Sequence, residues 1–211
     1  MTNPYSRTIA ISRGILNRLR PRFYRRTVFL MYMHDVKELR PVTVPAGFSL
    51  VPVTADNVET VATFRTTKVA DTFRCLLDGG NVGVYAMLGD KVVGHFWAML
   101  CNEAHCRFWR GVDIERGEAL LAWGNVDERY RGQSLFQSMG TFLCQRMFDD
   151  IGVTRVLSDV PIQPTASLRA HARLGFHLAG TLFYVCAGEL RLYSRFVPAK
   201  PGQLDELLGL R

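Results

Sequence analysis

The chain has 211 residues, 48% of them hydrophobic and 21% charged, the proportions of an ordinary globular protein with one well-filled core. No apolar run approaches the ~20 residues that cross a bilayer, and the first residues lack the layout of a signal peptide, so a cytoplasmic protein is expected. Five cysteines, Cys75, Cys101, Cys106, Cys144 and Cys186, are odd in number and form no Cys-x-x-Cys pair. That argues against a disulfide framework and a structural zinc site, and for reduced thiols packed as small hydrophobes.

The net charge of +7 is unevenly placed. Residues 1–46 carry nine Lys/Arg against Asp35 and Glu38, and the remainder carries seventeen of each sign. The basic character therefore belongs to an N-terminal extension over 1–46, ahead of a near-neutral domain over 47–197 and a tail over 198–211. Within the extension, Ile11, Ile15, Leu16 and Leu19 share one helical stripe, with Arg13, Arg18 and Arg20 elsewhere and Pro21 as the stop. Two readings of residues 1–26 stand. In one, the segment is a basic amphipathic helix on the anionic inner membrane surface or on an acidic partner. In the other, it packs on its own domain with a solvated basic face. No DNA- or RNA-binding motif accompanies the charge, and no nucleic-acid partner is expected.

Thr27 to His34 reads as a strand, and Phe48 to Thr54 as the next. Thr54-Ala-Asp56 leads into a helix from about Asn57 to Thr66, and a second helical piece covers Val69 to Leu77 before Asp78-Gly79-Gly80. Val82 to Leu88 and Lys91 to Leu100 form a hairpin around Gly89-Asp90. Asn102 to Arg116 has no clear period. It reads as a loop or irregular hairpin whose His105, Arg107, Trp109, Arg110 and Asp113 either line an acceptor pocket or face solvent.

The most informative stretch follows. Ala119 to Val126 is an apolar run of strand length. Arg129-Tyr-Arg131-Gly132-Gln133-Ser134 is a basic, Gly-containing turn, and Leu135 to Asp150 repeats apolar residues at helical spacing (Leu135, Met139, Phe142, Leu143, Met147). A strand that turns through such a segment into a helix can hold phosphates, because N–H groups and the helix dipole converge on one spot. Gly132 permits close approach of the backbone, and Arg129 and Arg131 add positive charge. Further on, Thr154 to Val160 is a strand, Ala166 to Leu174 a short helix, and Phe176 to Ala187 and Glu189 to Val197 two strands joined at Gly188. Leu204 to Leu208 forms one turn of helix. This order fits an α/β or α+β layer around a mixed sheet.

Two segments resemble the GNAT superfamily of acyl-CoA-dependent N-acyltransferases. Arg129-x-x-Gly132-x-Ser134, with Val126 six residues before the glycine, resembles its phosphate turn. Ser167-Leu168 followed by Leu174-Gly175-Phe176 resembles its later segment. The resemblance covers about residues 48–197. It implies a mixed, mostly antiparallel central sheet flanked by helices and splayed at its central strands, holding acetyl-CoA or another acyl-CoA and no metal. Asn125, Val126, Arg129, Arg131, Gly132, Gln133, Ser134, Leu135 and Ser167 are the residues it would place on the cofactor. Pro164 stands where the family has an Asn, and His171 where many members have a Tyr that protonates the leaving thiolate.

The implied reaction is direct attack of a primary amine (a small molecule, amino sugar or lipid-linked acceptor) on the thioester. Alternatives are a longer acyl chain from acyl-CoA or an acyl carrier protein, and a CoA-binding regulatory module without catalysis. Glu118 is the candidate base, since some branches keep a glutamate on this strand at that distance from the turn, with Asp113 and Glu115 behind it. His171 is the candidate acid and Tyr184 the fallback. Each has a plain structural reading as well: a strand-end carboxylate, a packed helix histidine and a core tyrosine. Trp97, Trp109 and Trp123 are expected to pack.

Overall fold

The computed structural model describes residues 23–101, 105–107, 112–163, 165–187 and 190–210. The helix expected over 8–20 lies outside these residues, as do Trp109, Arg110 and Pro164; of the segment 1–26 given the surface reading, only Phe23 to Arg26 are described, and they belong to a strand. No helix among the described residues is long and apolar enough to cross a membrane.

The elements follow the sequence periodicities closely. Strands β1 (Phe23–Met33) and β2 (Phe48–Pro52) precede a 3-10 turn at Val58–Thr63 and helix α1 (Thr67–Asp78). The expected hairpin is β3 (Val82–Leu88) and β4 (Lys91–Leu100), and the aperiodic stretch after it contains the short pair β5 (His105–Arg107) and β6 (Asp113–Glu115). Then come β7 (Glu118–Val126), α2 (Leu135–Gln145), β8 (Arg155–Pro161), α3 (Thr165–Leu174), β9 (His177–Ala187), β10 (Leu190–Pro198) and α4 (Gln203–Leu208). The helix expected at 57–66 is instead the tighter 3-10 form. Asn57 bends the chain there, its Oδ1 accepting from Thr54 N–H and its Nδ2 donating to Pro52 O. The last turns of the helix expected to reach Asp150 widen into a π-helix over Arg146–Ile151.

Eight strands form one mixed sheet in the order β10-β9-β1-β8-β7-β4-β3-β2. Among the described residues β7 and β8 are its one parallel pair. The strand expected in the N-terminal extension is no appendage. β1 lies between β8 and β9, with Val28 opposite Pro161 on one side and Leu182 on the other. Apolar residues recur on both faces. Met139 and Leu143 of α2 and Met147 of the π-helical turn that continues it, all 0% exposed, pack with Phe96, Leu174 and Phe176 in the largest cluster. Burying such a stripe is what holds a helix of three turns in place.

The Leu174-Gly175-Phe176 segment has a steric cause. Gly175 has φ +103, and a Cβ there would stand 2.0 Å from Glu38 O. The backbone of residues 38–40 crosses directly over it, with Arg40 N–H donating to Leu174 O at 2.9 Å. One cysteine departs from expectation: Cys101 is disulfide-bonded, while Cys75, Cys144 and Cys186 are free. An odd count excludes complete pairing but not a single bridge.

Candidate functional site

β7 and β8 pair only from Glu118–Arg155 to Leu121–Ser158, although both strands run on. The cause lies within β7. Its register with β4 slips between Ala122–Trp97 and Asn125–His95, so Trp123 and Gly124 together face Phe96 alone. Trp123 is left-handed, with φ 55, as the first residue of a β-bulge can be. Past the bulge β7 stays with β4 and parts from β8. The splay expected of the central strands is present.

Two cavities fill the gap. The larger, about 550 Å³, runs along Gly124–Val126 to the turn at Tyr130–Ser134 and is closed by Ala166, Ser167, Ala170 and Arg173 of α3. The smaller, about 310 Å³, lies over the bulge between Arg65, His95, Trp123, Ser158, Asp159 and His171. Gly124, Asn125, Phe136 and Ser167 line both, so the two meet in one cleft. Apolar groups prevail in the lining of the larger cavity and polar groups in that of the smaller.

The turn has backbone geometry that suits an anion. Gly132 (φ 80) and Ser134 (φ 62) are both left-handed, the kind of conformation in which successive N–H groups converge. Ser134 makes no side-chain cap bond, and the first helical bond closes only at Ser138 N–H to Ser134 O, 2.9 Å. The N–H groups of Leu135, Phe136 and Gln137 therefore lack helical partners and add the positive end of the α2 dipole. A Cβ at Gly132 would meet open space; the glycine serves the backbone angle and leaves room for a ligand.

The residues expected on the cofactor divide into two sets. Asn125, Val126, Arg131, Gly132, Ser134, Leu135 and Ser167 line the larger cavity; Arg129 and Gln133 do not. The Arg129 guanidinium is engaged by the Asp127 carboxylate, at 3.1 and 2.5 Å. These hydrogen bonds hold Asp127 down to about 2. Arg131 donates to Val126 O at 3.2 Å and pairs with Glu128 at 3.1 Å. Its side chain thus stitches the turn to β7. Arg173, which carried no motif signal, lines the same cavity, is exposed, and has no carboxylate partner among the described residues.

The three acid–base candidates do not gather in the cleft. Glu118 lies at the paired end of β7, where it forms an ion pair with Arg155 and accepts from Glu115 N–H at 2.9 Å. Gly124 lies six positions further along the strand, about 20 Å away, and Glu118 lines neither cavity. Tyr184 is fully buried in a cluster with Val28, Leu120 and Leu157 and also lines neither. Asp113 pairs with Arg191 at 2.5 Å, away from both cavities.

His171 does reach the smaller cavity, but both ring nitrogens are occupied. Nδ1 lies 2.8 Å from Ser167 O and must donate to it, so Nε2 accepts from Ser158 Oγ at 2.9 Å. Burial lowers its pKa to about 4. It is a neutral, fixed imidazole whose one ring proton is held by a carbonyl. Trp97 is core, as expected, whereas Trp123 lines the smaller cavity.

A fourth group was not signalled by the sequence. His95 on β4 is 2% exposed and lines the smaller cavity, with Nδ1 2.7 Å from Trp123 O. Its Nε2 is buried and has no hydrogen-bond partner. Burial lowers its pKa to about 4, with nearby Arg65 lowering it further against the raising effect of the Trp123 carbonyl bond.

Neither a family model nor a curated protein matches the sequence. Solved structures do. A GCN5-related N-acetyltransferase from Kribbella flavida superposes with TM-score 0.53 at 17% identity, over 80% of this chain and 60% of that one. A GCN5-related N-acetyltransferase-like protein from Streptococcus suis 89/1591 gives 0.53 at 16% identity, over 82% and 65%. A tandem GNAT protein from the clavulanic acid biosynthesis pathway gives 0.54 at 16% identity, over 93% and 57%. The chain thus spans less than two thirds of the length of these structures. At such identities the likeness establishes the architecture: this chain has the mixed, mostly antiparallel α+β fold of the GCN5-related N-acetyltransferases.

Proposed function

We propose that the protein is an N-acyltransferase that moves an acetyl group from acetyl-CoA to the primary amine of a small molecule. The observation that carries this reading is the parting of β7 from β8 beyond Leu121 and Ser158, which leaves one cleft running from an anion-binding turn to a second, smaller cavity. In this reading the N–H groups from Gly132 to Gln137 hold the pyrophosphate, and Arg173 adds charge for the remaining phosphate. The β7 backbone near Gly124 to Val126, which has lost β8 as a neighbour, pairs with the pantetheine amides. The N–H groups of this β7 segment also polarise the thioester carbonyl toward attack. The acceptor amine enters through the 310 Å³ cavity, whose size suits a small molecule rather than a folded protein.

The test is thermal-shift titration with acetyl-CoA and longer acyl-CoAs, followed by thiol release against a panel of primary amines. Acetyl-CoA at about 100 times its Kd should raise stability by about 2.7 kcal/mol. Arg173→Ala should weaken that binding without lowering the melting temperature of the free protein. Stabilisation by no CoA species overturns the proposal. Binding without thiol release for any amine replaces it with a CoA-binding module, and preference for long chains moves the donor to a fatty acyl group.

A further inference from the structure

We propose that His95 is the catalytic base of this site, taking the proton of the acceptor amine on Nε2 as the amine attacks. The inference rests on the acyltransferase reading above. It begins from an orphaned atom. A carbonyl oxygen only accepts, so the 2.7 Å contact with Trp123 O places the ring hydrogen on Nδ1 and leaves a lone pair on Nε2. That lone pair is buried and has no partner, a condition folded proteins rarely leave without a use. The ring lines the 310 Å³ cavity, which shares Gly124, Asn125, Phe136 and Ser167 with the larger one, and His95 stands opposite Asn125 in the β4–β7 ladder.

The tautomer and the cleft have one origin. The bulge that turns Trp123 to φ 55 and parts β7 from β8 also presents the Trp123 carbonyl to His95. Aromatic walls hold the ring, Phe73 edge-on at 4.8 Å and Phe64 at 5.8 Å. The charged and titratable groups sharing the cavity are Arg65 from the segment after the 3-10 turn, Asp159 on β8 and His171 on α3. Arg65 disfavours a second proton on His95, Asp159 already has a partner, and both nitrogens of His171 are engaged. His95 is therefore neutral and able to accept at physiological pH.

The step balances simply. The amine nitrogen bonds to the thioester carbon, the C–S bond breaks, and the electron pair leaves on sulfur as the CoA thiolate. The amine proton passes to Nε2 and then, from an imidazolium that burial makes acidic, to water in the cavity mouth. The thiolate takes a proton from solvent.

His95→Asn is the informative variant, because its amide N–H can still donate to Trp123 O while nothing replaces Nε2. The expected result is an unchanged acetyl-CoA thermal shift with kcat for a responsive amine reduced on the order of 10²–10⁴-fold. Added imidazole should restore part of the activity in His95→Ala. Turnover by His95→Asn comparable to wild type overturns the proposal. Nitrogen-15 chemical shifts of His95 read the tautomer without any turnover: a proton on Nδ1 is expected, and a proton on Nε2 refutes the assignment. Failure of the wild-type protein to bind acetyl-CoA strikes the acyltransferase reading instead, and is distinguished by that readout.

Discussion

A methyl group added at Gly124 would lie 2.5 Å from Phe136 Cε2 and 3.0 Å from the Phe96 ring. Phe136 walls both cavities, so Gly124→Ala should push this ring into the cleft. The expected loss is about 1–3 kcal/mol of stability from overpacking, together with weaker acetyl-CoA binding. Urea melts and calorimetric titration measure the two effects separately. Gly175→Ala should cost stability more, because the opposing atom is the Glu38 carbonyl at 2.0 Å and φ is +103. A backbone wall cannot rotate aside as a phenyl ring can. The glycine of the Leu-Gly-Phe segment is thus explained by chain packing, whereas Gly132 is explained by backbone angle and open space.

The proposed donor site lies at the start of α2, and its charge preference can be tested directly. Ser134 holds φ 62 without capping the helix. Ser134→Gly should therefore relieve about 1–2 kcal/mol of left-handed strain, less about 0.5–1 kcal/mol for the added freedom of the unfolded chain, and leave acetyl-CoA affinity intact. Ser134→Asp should abolish that affinity by placing a carboxylate among the N–H groups proposed to hold the pyrophosphate, while the melting temperature of the free protein holds. These elements were legible in the sequence because periodicity is local. The α2 stripe from Leu135 to Met147, the Gly89-Asp90 hairpin and the turn at Gly132 each declare themselves within a few residues. Long-range partners do not. Pairing of Glu118 with Arg155 depends on the β7–β8 register, 37 positions apart in a single ladder, and no local pattern encodes it. Gly124 and Asn125 interrupt the apolar run beside the bulge at Trp123, but no local pattern says which strand lies opposite, so the His95 tautomer and its orphaned nitrogen were invisible until β4 and β7 stood side by side.

Across the molecule, β1 closes the sheet by pairing with β8 and β9 at once, so a chain beginning at residue 34 would leave two unpaired strand edges. Such a truncation should give an aggregating product without a cooperative melt, read by circular dichroism. Two imidazoles buried in the same cleft contribute to the global response to acid. His95 and His171 both have pKa values lowered to about 4, burial being the largest cause for each, against about 6.5 in the unfolded chain. Between those values the unfolded state binds more protons than the folded one, so stability rises with pH through this window. The contribution is fully present above about pH 6.5 and is lost progressively as pH falls toward about 4, with each ring contributing on the order of 3 kcal/mol. Asp127, held near 2 by its hydrogen bonds with Arg129, titrates below this window and does not mask it. Urea midpoints measured from pH 7.5 to 4.5 should fall steeply below about 6.5. The slope should drop by roughly half in His95→Asn, because one of two equivalent proton-linked groups is gone. An undiminished slope in that variant would place the linked protons on groups other than the ring of His95.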